Sequence, residues 1–183
     1  MKITIRVVPV EDFSVSQKEA IHALEKECFG DVSQVSKEED FIAESLAKIF
    51  AYNGNSIVGM LSLKKREVIF AGKHVLVGGT GGVCVTESIR WKGIATQMLK
   101  KALAILKDER CDIACLNANP EKQAYKLYEK LGFRFMQRPI SFESGKGKLK
   151  HDTGTMLVPI CSRSIYDFVM NSTETFHYGK GYW

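Results

Sequence analysis

Five residues near the middle of the chain, Gly-Gly-Thr-Gly-Gly at 78–82, constrain the fold more than any other segment. A glycine-rich loop that binds a nucleotide follows a strand and opens a helix. Here the glycines lead into the strand-like Val83-Cys84-Val85, and no Gly-Lys-Ser or Gly-Lys-Thr follows them. We therefore expect these glycines inside a strand, at a β-bulge or where another part of the chain approaches the backbone closely.

The segment after this strand has the pattern of an anion site. It runs through a short loop, Arg90-x-x-Gly93-x-Ala95, into an amphipathic helix. The first N–H groups of a helix have no partner inside it, and the helix dipole places partial positive charge there. Gly93 and Ala95 leave room for a ligand, and Arg90 and Lys92 add charge. The segment predicts a site that would fit a pyrophosphate, although a plain strand–turn–helix shares the pattern.

Hydrophobic periodicity predicts one domain over residues 1–160, with an aromatic tail at 161–183 packed on it. Strand patterns lie at 2–8, in two hairpins over 49–63 and 68–85, and at 111–116, 133–136 and 155–160. Helices are expected from Ser16 to Gly30, from Ser36 to Ile49, along 94–106 and along 121–131. Residues 137–154 are expected to form a polar loop.

Composition restricts the class of protein. Apolar residues make up 45% of the chain, and Gly and Pro number 15 and 4, which excludes disordered and low-complexity classes. No apolar run approaches the roughly 20 residues that cross a bilayer, and the N-terminus lacks the apolar stretch of a signal peptide. The net charge of +5 is spread along the chain. We therefore expect a cytoplasmic protein with no membrane or nucleic-acid partner.

The five cysteines are odd in number and form no C-x-x-C pair. This pattern predicts reduced, mostly buried thiols, without a disulfide framework or a zinc site. No spacing of the histidines indicates another metal.

Two linked motifs resemble the GNAT N-acetyltransferase superfamily. The first is the Arg90-x-x-Gly93-x-Ala95 loop, and the second is the helix pattern from Ala124 through Tyr128 to Gly132-Phe133. The resemblance covers about residues 2–160. It implies an α/β (α+β) fold with a mixed, mainly antiparallel sheet of about seven strands, flanked by helices. Two central strands would splay apart to admit acetyl-CoA.

By this resemblance, acetyl-CoA binds along the strand at 83–85 and in the loop that follows. The backbone of Val83 and Val85 would pair with the pantetheine arm, and the loop would cradle the pyrophosphate. Many relatives carry an asparagine where this chain has Glu121. The nearby Asn119 would take the role of that asparagine here. The cofactor-binding residues are then Val83, Cys84, Val85, Arg90, Trp91, Lys92, Gly93, Ile94, Ala95, Thr96 and Asn119.

Tyr128 matches the tyrosine that lies beside the CoA sulfur and, in many members, protonates the leaving thiolate. A phenol with an ordinary pKa of about 10 can donate that proton. Tyr128 also lies on an apolar stripe, so a place in the core is the alternative. Some relatives carry a glutamate base just before the strand at 83–85. This chain has Thr80-Gly81-Gly82 there, so the base stays open between water and a carboxylate from elsewhere.

A narrower resemblance, to aminoglycoside 2′-N-acetyltransferases, rests on three segments. These are Cys28-Phe29-Gly30-Asp31, the stretch from Asp152-Thr153-Gly154-Thr155 to Pro159-Ile160, and a tail that finishes in Trp183. It implies that Asp31, Asp152 and the Trp183 carboxylate line a pocket for a cationic amine. Both aspartates also suit turns.

The sequence thus predicts an acetyl-CoA-dependent N-acetyltransferase. It would transfer an acetyl group to the primary amine of a small cationic substrate, aminoglycoside- or polyamine-like, by direct attack in a ternary complex. The alternatives are a protein lysine or N-terminal acetyltransferase and a non-catalytic acyl-CoA-binding module. Homodimerisation is left open.

Overall fold

The strands of the computed structural model, which describes residues 2–30 and 45–183, form two sheets. They are β1 Ile3–Pro9, β2 Ala47–Asn53, β3 Ser56–Phe70, β4 Lys73–Val85, β5 Ile113–Asn117, β6 Arg134–Phe135, β7 Ile140–Glu143, β8 Leu149–Asp152, β9 Thr155–Pro159 and β10 Phe176–Lys180. The larger sheet has the order β1-β2-β3-β4-β5-β9-β6, and the smaller has the order β10-β7-β8. Within the larger sheet only β4 and β5 are parallel, and every other neighbouring pair is antiparallel.

Four helices flank the sheets in the described part of the chain: α1 Val15–Phe29, α2 Ile94–Asp108, α3 Gln123–Lys130 and α4 Arg163–Asn171. A capping box begins α1, since Ser14 accepts a hydrogen bond from the Gln17 N–H while the Gln17 side chain accepts one from the Ser14 N–H. This start lies two residues before the predicted Ser16. The helix ends at Gly30, whose φ of 76° few other residues adopt. No helix in residues 2–30 and 45–183 has both the length and the apolar character needed to cross a bilayer.

Helices α1 and α2 cover opposite faces of the larger sheet, because successive residues of a strand point to opposite sides. Met60 of β3 packs with Leu24 of α1. Its neighbour Leu61 packs with the α2 residues Met98 and Leu99. The apolar stripe predicted for the helix at 94–106 is therefore the stripe that α2 buries.

The predicted fold class is confirmed, including the mainly antiparallel seven-stranded sheet. The two predicted hairpins share one long strand, β3, which pairs with β2 on one side and β4 on the other. The prediction was wrong at residues 137–154, where the expected loop contains β7 and β8, and the tail contains α4 and β10. The helix expected from Ser36 to Ile49 lies mostly outside the described residues. Ile49 itself belongs to β2, where it and Ala51 face α2 in the alternation of a strand.

The prediction that all five cysteines are reduced was wrong for one pair. Cys28, near the end of α1, forms a disulfide with Cys84 of β4. Cys111 and Cys115 are free and buried, and Cys161 is free and exposed. The paired cysteines are 56 residues apart, and only the packing of α1 on β4 brings them together.

We expect this disulfide to stabilise the fold. Closing a loop with a sequence separation of 56 removes unfolded-state entropy worth about 4 kcal/mol in the chain-entropy model. Urea unfolding should give a lower free energy of unfolding for the Cys28→Ser/Cys84→Ser variant than for the oxidised wild type. Dithiothreitol should lower the value for the wild type and leave the variant unchanged. Five alkylatable thiols in the denatured, unreduced wild type, instead of three, would show that the disulfide does not form.

The glycine run lies in β4, and both predicted reasons for it are confirmed. A Cβ on Gly79 would lie 2.2 Å from the Trp183 ring, and one on Gly78 would lie 2.6 Å from the Leu106 side chain of α2. The β3–β4 register also shifts between Met60 and Ser62, beside Gly82, whose φ is +58°. Close approach on both faces and a β-bulge thus account for the run.

Replacing Gly79 by Ala should displace Trp183, because the rigid indole ring fills the space of the new methyl group. Overpacking of this kind costs about 1–3 kcal/mol, which urea unfolding would register. Trp183 emission should shift to the red, against the background of Trp91, which is 82% exposed. Gly81→Ala is the matched control, since its Cβ would meet only the main-chain carbon of Trp183, at 3.8 Å. Equal stability of the two variants would contradict this packing.

Candidate functional site

The two parallel strands at the centre of the sheet separate shortly after they meet. Strands β4 and β5 pair only at Val77–Ile113, Gly78–Ala114 and Gly79–Cys115. Beyond that point β4 continues to Val85 beside β3, and β5 continues to Asn117 beside β9. The edge of β4 that faced β5 is therefore unpaired from residue 80 onward. Backbone N–H and C=O groups removed from water need partners, so this edge can pair with an extended ligand.

A cavity of about 760 Å³ opens at this edge, between β4, the start of α2 and the inner face of α3. It gathers most of the residues expected from the sequence to bind the cofactor, together with Tyr128. The expected residues that line it are Val83, Cys84, Val85, Arg90, Trp91, Gly93, Ile94, Ala95, Thr96 and Tyr128. Among them, Cys84 is 3% exposed and also belongs to the core beneath α1.

The start of α2 supplies hydrogen-bond donors to the cavity. Gly93 caps the helix with a left-handed φ of 75°, and the N–H of Gln97 bonds to its carbonyl. The N–H groups of Ile94, Ala95 and Thr96 precede that bond and have no acceptor inside the helix. With the positive end of the helix dipole, they are the groups that the predicted anion site would use.

The end of α1 holds the loop before α2 in place. The Glu27 carboxylate accepts hydrogen bonds from the Thr86 hydroxyl at 2.8 Å and the Glu87 N–H at 2.7 Å. These bonds, with the positive charge of Arg90, hold the pKa of Glu27 below its ordinary value. Arg90 donates from Nε to the Val85 carbonyl at 3.0 Å. Arg90 thus braces the loop as well as lining the cavity.

Tyr128 lies in α3 at the boundary between the cavity and the core. Its side chain is buried and packs edge-on against Phe133, with ring centroids 6.3 Å apart. Burial raises the pKa of the Tyr128 phenol above its ordinary value. The ring therefore packs in the core, and the hydroxyl group stays protonated at neutral pH. Tyr128 can thus be both a core residue and a proton donor.

Sequence reasoning missed three polar residues of α3 that line the cavity, Gln123, Lys126 and Lys130. Their i, i+3, i+7 spacing places them on one helical face. That spacing, opposite an expected anion site, was the available signal. Two lysines here add positive charge facing the start of α2.

Two of the residues expected to bind the cofactor do not line the cavity. Lys92 is absent from its walls. The side chain of Asn119 accepts a hydrogen bond from the Glu121 N–H at 2.8 Å, within the turn that precedes α3. Asp31 lies outside the described residues.

Asp152 and Trp183 lie together, away from the cavity. Asp152 accepts a hydrogen bond from the Tyr182 hydroxyl at 2.5 Å. Trp183 covers Gly79 on the face of β4 opposite the Gly78 contact with α2. Trp183 therefore lies on the face of the larger sheet that α2 does not cover, and Asp152, at the end of β8 in the smaller sheet, is bonded to the residue before it.

The family comparison agrees with this geometry. A model of the acetyltransferase (GNAT) domain matches residues 10–136, a stretch that contains both sequence motifs and every wall of the cavity. The chain belongs to the GNAT acetyltransferase family. Acetyl-CoA is the cosubstrate of this family, so the cavity is the place to test for it. No curated protein matches the chain by sequence.

Solved GNAT structures share the fold. YhbS from Escherichia coli, in complex with CoA, has a TM-score of 0.62 at 16% identity over 98% of this chain and 89% of its own. The E. coli ribosomal-protein-S18-alanine N-acetyltransferase has 0.57 at 13% identity over 89% and 96%. A GCN5-related N-acetyltransferase from Kribbella flavida has 0.55 at 18% identity over 73%, and this chain spans about a third of it (34%). At these identities the likeness shows the fold alone, and the aminoglycoside 2′-N-acetyltransferase resemblance stays a prediction.

Proposed function

We propose that this GNAT protein is an acetyl-CoA-dependent N-acetyltransferase that acetylates the primary amine of a small molecule by direct attack in a ternary complex. The observation that carries the proposal is that one cavity is lined by the open edge of β4, by the N-terminus of α2 and by Tyr128 of α3. A cofactor with a diphosphate at one end and a thioester at the other suits that arrangement.

The chain's own groups match the parts of acetyl-CoA. The open edge of β4 at Val83 and Val85 suits the amides of the pantetheine arm, since both are extended and carry N–H and C=O groups. The Val85 carbonyl already accepts a hydrogen bond from Arg90 Nε, so the arm would pair with the other groups of this edge. The free N–H groups at the start of α2 suit the pyrophosphate. Lys126 and Lys130 add charge for the phosphates from the facing helix. When bound, acetyl-CoA supplies the activated acyl carbon that the amine attacks.

Tyr128 is the proposed general acid. As the new C–N bond forms and the C–S bond breaks, its hydroxyl group donates a proton to the departing thiolate sulfur. The acceptor amine must lose a proton before it attacks. Residues 80–82 carry no carboxylate, so we propose that water takes that proton.

The acceptor predicted from the sequence is a small cationic amine. A small molecule suits this acceptor side, because the Trp183 ring packs against Gly79 at the point where β4 and β5 part. A protein lysine or N-terminus is the second acceptor class, because the named acceptor of the E. coli S18-alanine enzyme is a protein. A cytoplasmic location and homodimerisation stay predictions.

The activity test is release of CoA thiol from acetyl-CoA with aminoglycosides, polyamines, amino acids and lysine peptides. Turnover of one amine class establishes the transferase and chooses the acceptor class. Acetyl-CoA binding without turnover across the panel would favour the non-catalytic module.

Tyr128→Phe should lower kcat about 10²–10⁴-fold, because it removes the proton donor and keeps the ring. Acetyl-CoA affinity should change little. Since burial raises the pKa of the phenol above its ordinary value, Tyr128 stays protonated throughout the neutral range. Wild-type kcat should then show no loss from this group until pH rises above about 10. Full activity of the variant would limit Tyr128 to the core.

Gly93→Ala should weaken acetyl-CoA binding about tenfold, a loss of about 1.4 kcal/mol. A Cβ there meets nothing within 4 Å in the protein and would occupy space beside the proposed pyrophosphate site. Gly72→Ala is the matched control, since Gly72 has φ +76° against +75° for Gly93 and equally open surroundings. Both variants carry the same backbone strain, so calorimetry should find weaker binding only for Gly93→Ala. Equal affinities would remove the loop from the site.

A further inference from the structure

An ammonium group without a partner lies on the sheet face that Trp183 covers. Lys64, in the middle of β3, is paired in register with Gly79 and is only 3% exposed. Within residues 2–30 and 45–183, its Nζ has no hydrogen-bond or ion-pair partner, whereas the neighbouring Lys65 bonds to Glu109 at 2.8 Å. A charge with this little exposure is normally paired. Its Nζ is not among the fully buried atoms that lack a partner, so it keeps some contact with solvent, and beside the last β4–β5 pair an anion could reach it.

The surroundings of Lys64 are positively charged. Lys48 of β2 and Arg66 of β3 lie on the same face, Lys48 beside Ser62 and Arg66 against the Trp183 ring at 5.5 Å. Glu25 lies 3.7 Å from Lys48 Nζ, and Asp152, which accepts a hydrogen bond from the Tyr182 hydroxyl, is a second carboxylate on this side of the larger sheet. Burial, with repulsion from Lys48 and Arg66, lowers the pKa of Lys64 to about 8. The ammonium is therefore mostly protonated at neutral pH, and an anion placed there would be strongly favoured.

Two further donors on this face have no acceptor. The buried Asn117 Nδ2 and Trp183 Nε1 atoms make no hydrogen bond. Asn117 ends β5, where that strand has already left β4, and its Oδ1 is taken by the Thr155 hydroxyl at 2.7 Å. The Tyr178 hydroxyl, which packs beside Trp183, is also buried without a partner and can donate a proton. Where β4 and β5 part, the groups without partners are thus two N–H donors, a hydroxyl group and an ammonium group. This set recognises a group with only acceptor atoms, such as a carboxylate.

We propose that the acceptor amine carries a carboxylate, and that Lys64 binds it with the Asn117 amide and the Trp183 indole on the side of the splay opposite α2. This rests on the proposed transferase function and names its substrate class. A polyamine or aminoglycoside would instead bring several ammonium groups against Lys48, Lys64 and Arg66, and like charges brought together in a binding site are repelled.

The test compares acceptors that differ by one carboxylate: 4-aminobutyrate with propylamine, and lysine with cadaverine. The wild type should show a kcat/KM about 10–100-fold higher for the carboxylate-bearing member, the worth of a charge-assisted hydrogen bond. Lys64→Met should remove that preference by raising KM for the carboxylate-bearing member of each pair. Lys64→Arg should keep the preference because it keeps the charge. Lys65→Met, the exposed neighbour, is the matched control and should behave as the wild type.

Each other outcome overturns one specific claim. Equal turnover within each pair, or preferential turnover of cadaverine and aminoglycosides, overturns the carboxylate inference and leaves the transferase intact. Loss of activity with propylamine in both Lys64→Met and Lys64→Arg would make Lys64 a proton acceptor instead of an anion anchor. If no amine is acetylated, the transferase proposal fails. Calorimetry of 4-aminobutyrate binding to the CoA-loaded protein then tests whether Lys64 binds a carboxylate. Binding to the wild type that Lys64→Met weakens would support this role, and no binding to the wild type would overturn it.

Discussion

The site depends on the early end of the β4–β5 pairing. Three residue pairs hold the parallel strands together, the last being Gly79–Cys115, and each strand then follows a different neighbour. A continuous ladder would have satisfied the backbone of residues 80–85 and closed the sheet. Because the ladder stops, an edge of unpaired backbone is left for a ligand. The chain then leaves β4 directly into the loop and α2, so donors for an anion follow that edge within about ten residues.

Residues 78 and 79 connect this opening to the rest of the protein. Gly78 admits Leu106 of α2 on one face, and Gly79 admits the Trp183 ring on the other. The last residue of the aromatic tail therefore packs at the point where the strands part. Tyr178 packs against Trp183, with ring centroids 5.5 Å apart, so β10 and its sheet support that contact. This arrangement gives the glycine run a steric cause and makes the tail part of the central core.

What could be predicted from the sequence was local. The helix start predicted at Ser16 and the Arg90-x-x-Gly93-x-Ala95 loop depend on residues within a few positions of each other, and the helices that they predict, α1 and α2, are present. The Cys28–Cys84 disulfide and the place of Lys64 opposite Gly79 depend on strand register and helix packing, which no local pattern encodes. Strands β7 and β8 are short, and a polar segment with two glycines joins them. Their hydrophobic alternation was therefore too brief to predict a hairpin. Lys126 and Lys130 were visible as a helical face, but only the position of α3 shows what that face meets.

The positive charges around Lys64 explain how the acceptor amine could lose its proton without a carboxylate base. A cationic environment lowers the pKa of an amine placed in it, because a second positive charge nearby is disfavoured. Lys48 and Arg66 would act in this way on an acceptor held at Lys64, even after a carboxylate has balanced Lys64 itself. A larger fraction of the acceptor would then be neutral and nucleophilic at a given pH. In relatives with a glutamate just before the segment at 83–85, that carboxylate removes the proton. This chain has Thr80-Gly81-Gly82 there, without a carboxylate. If the pKa of the acceptor amine is lowered in this way, water is a strong enough base to take the proton.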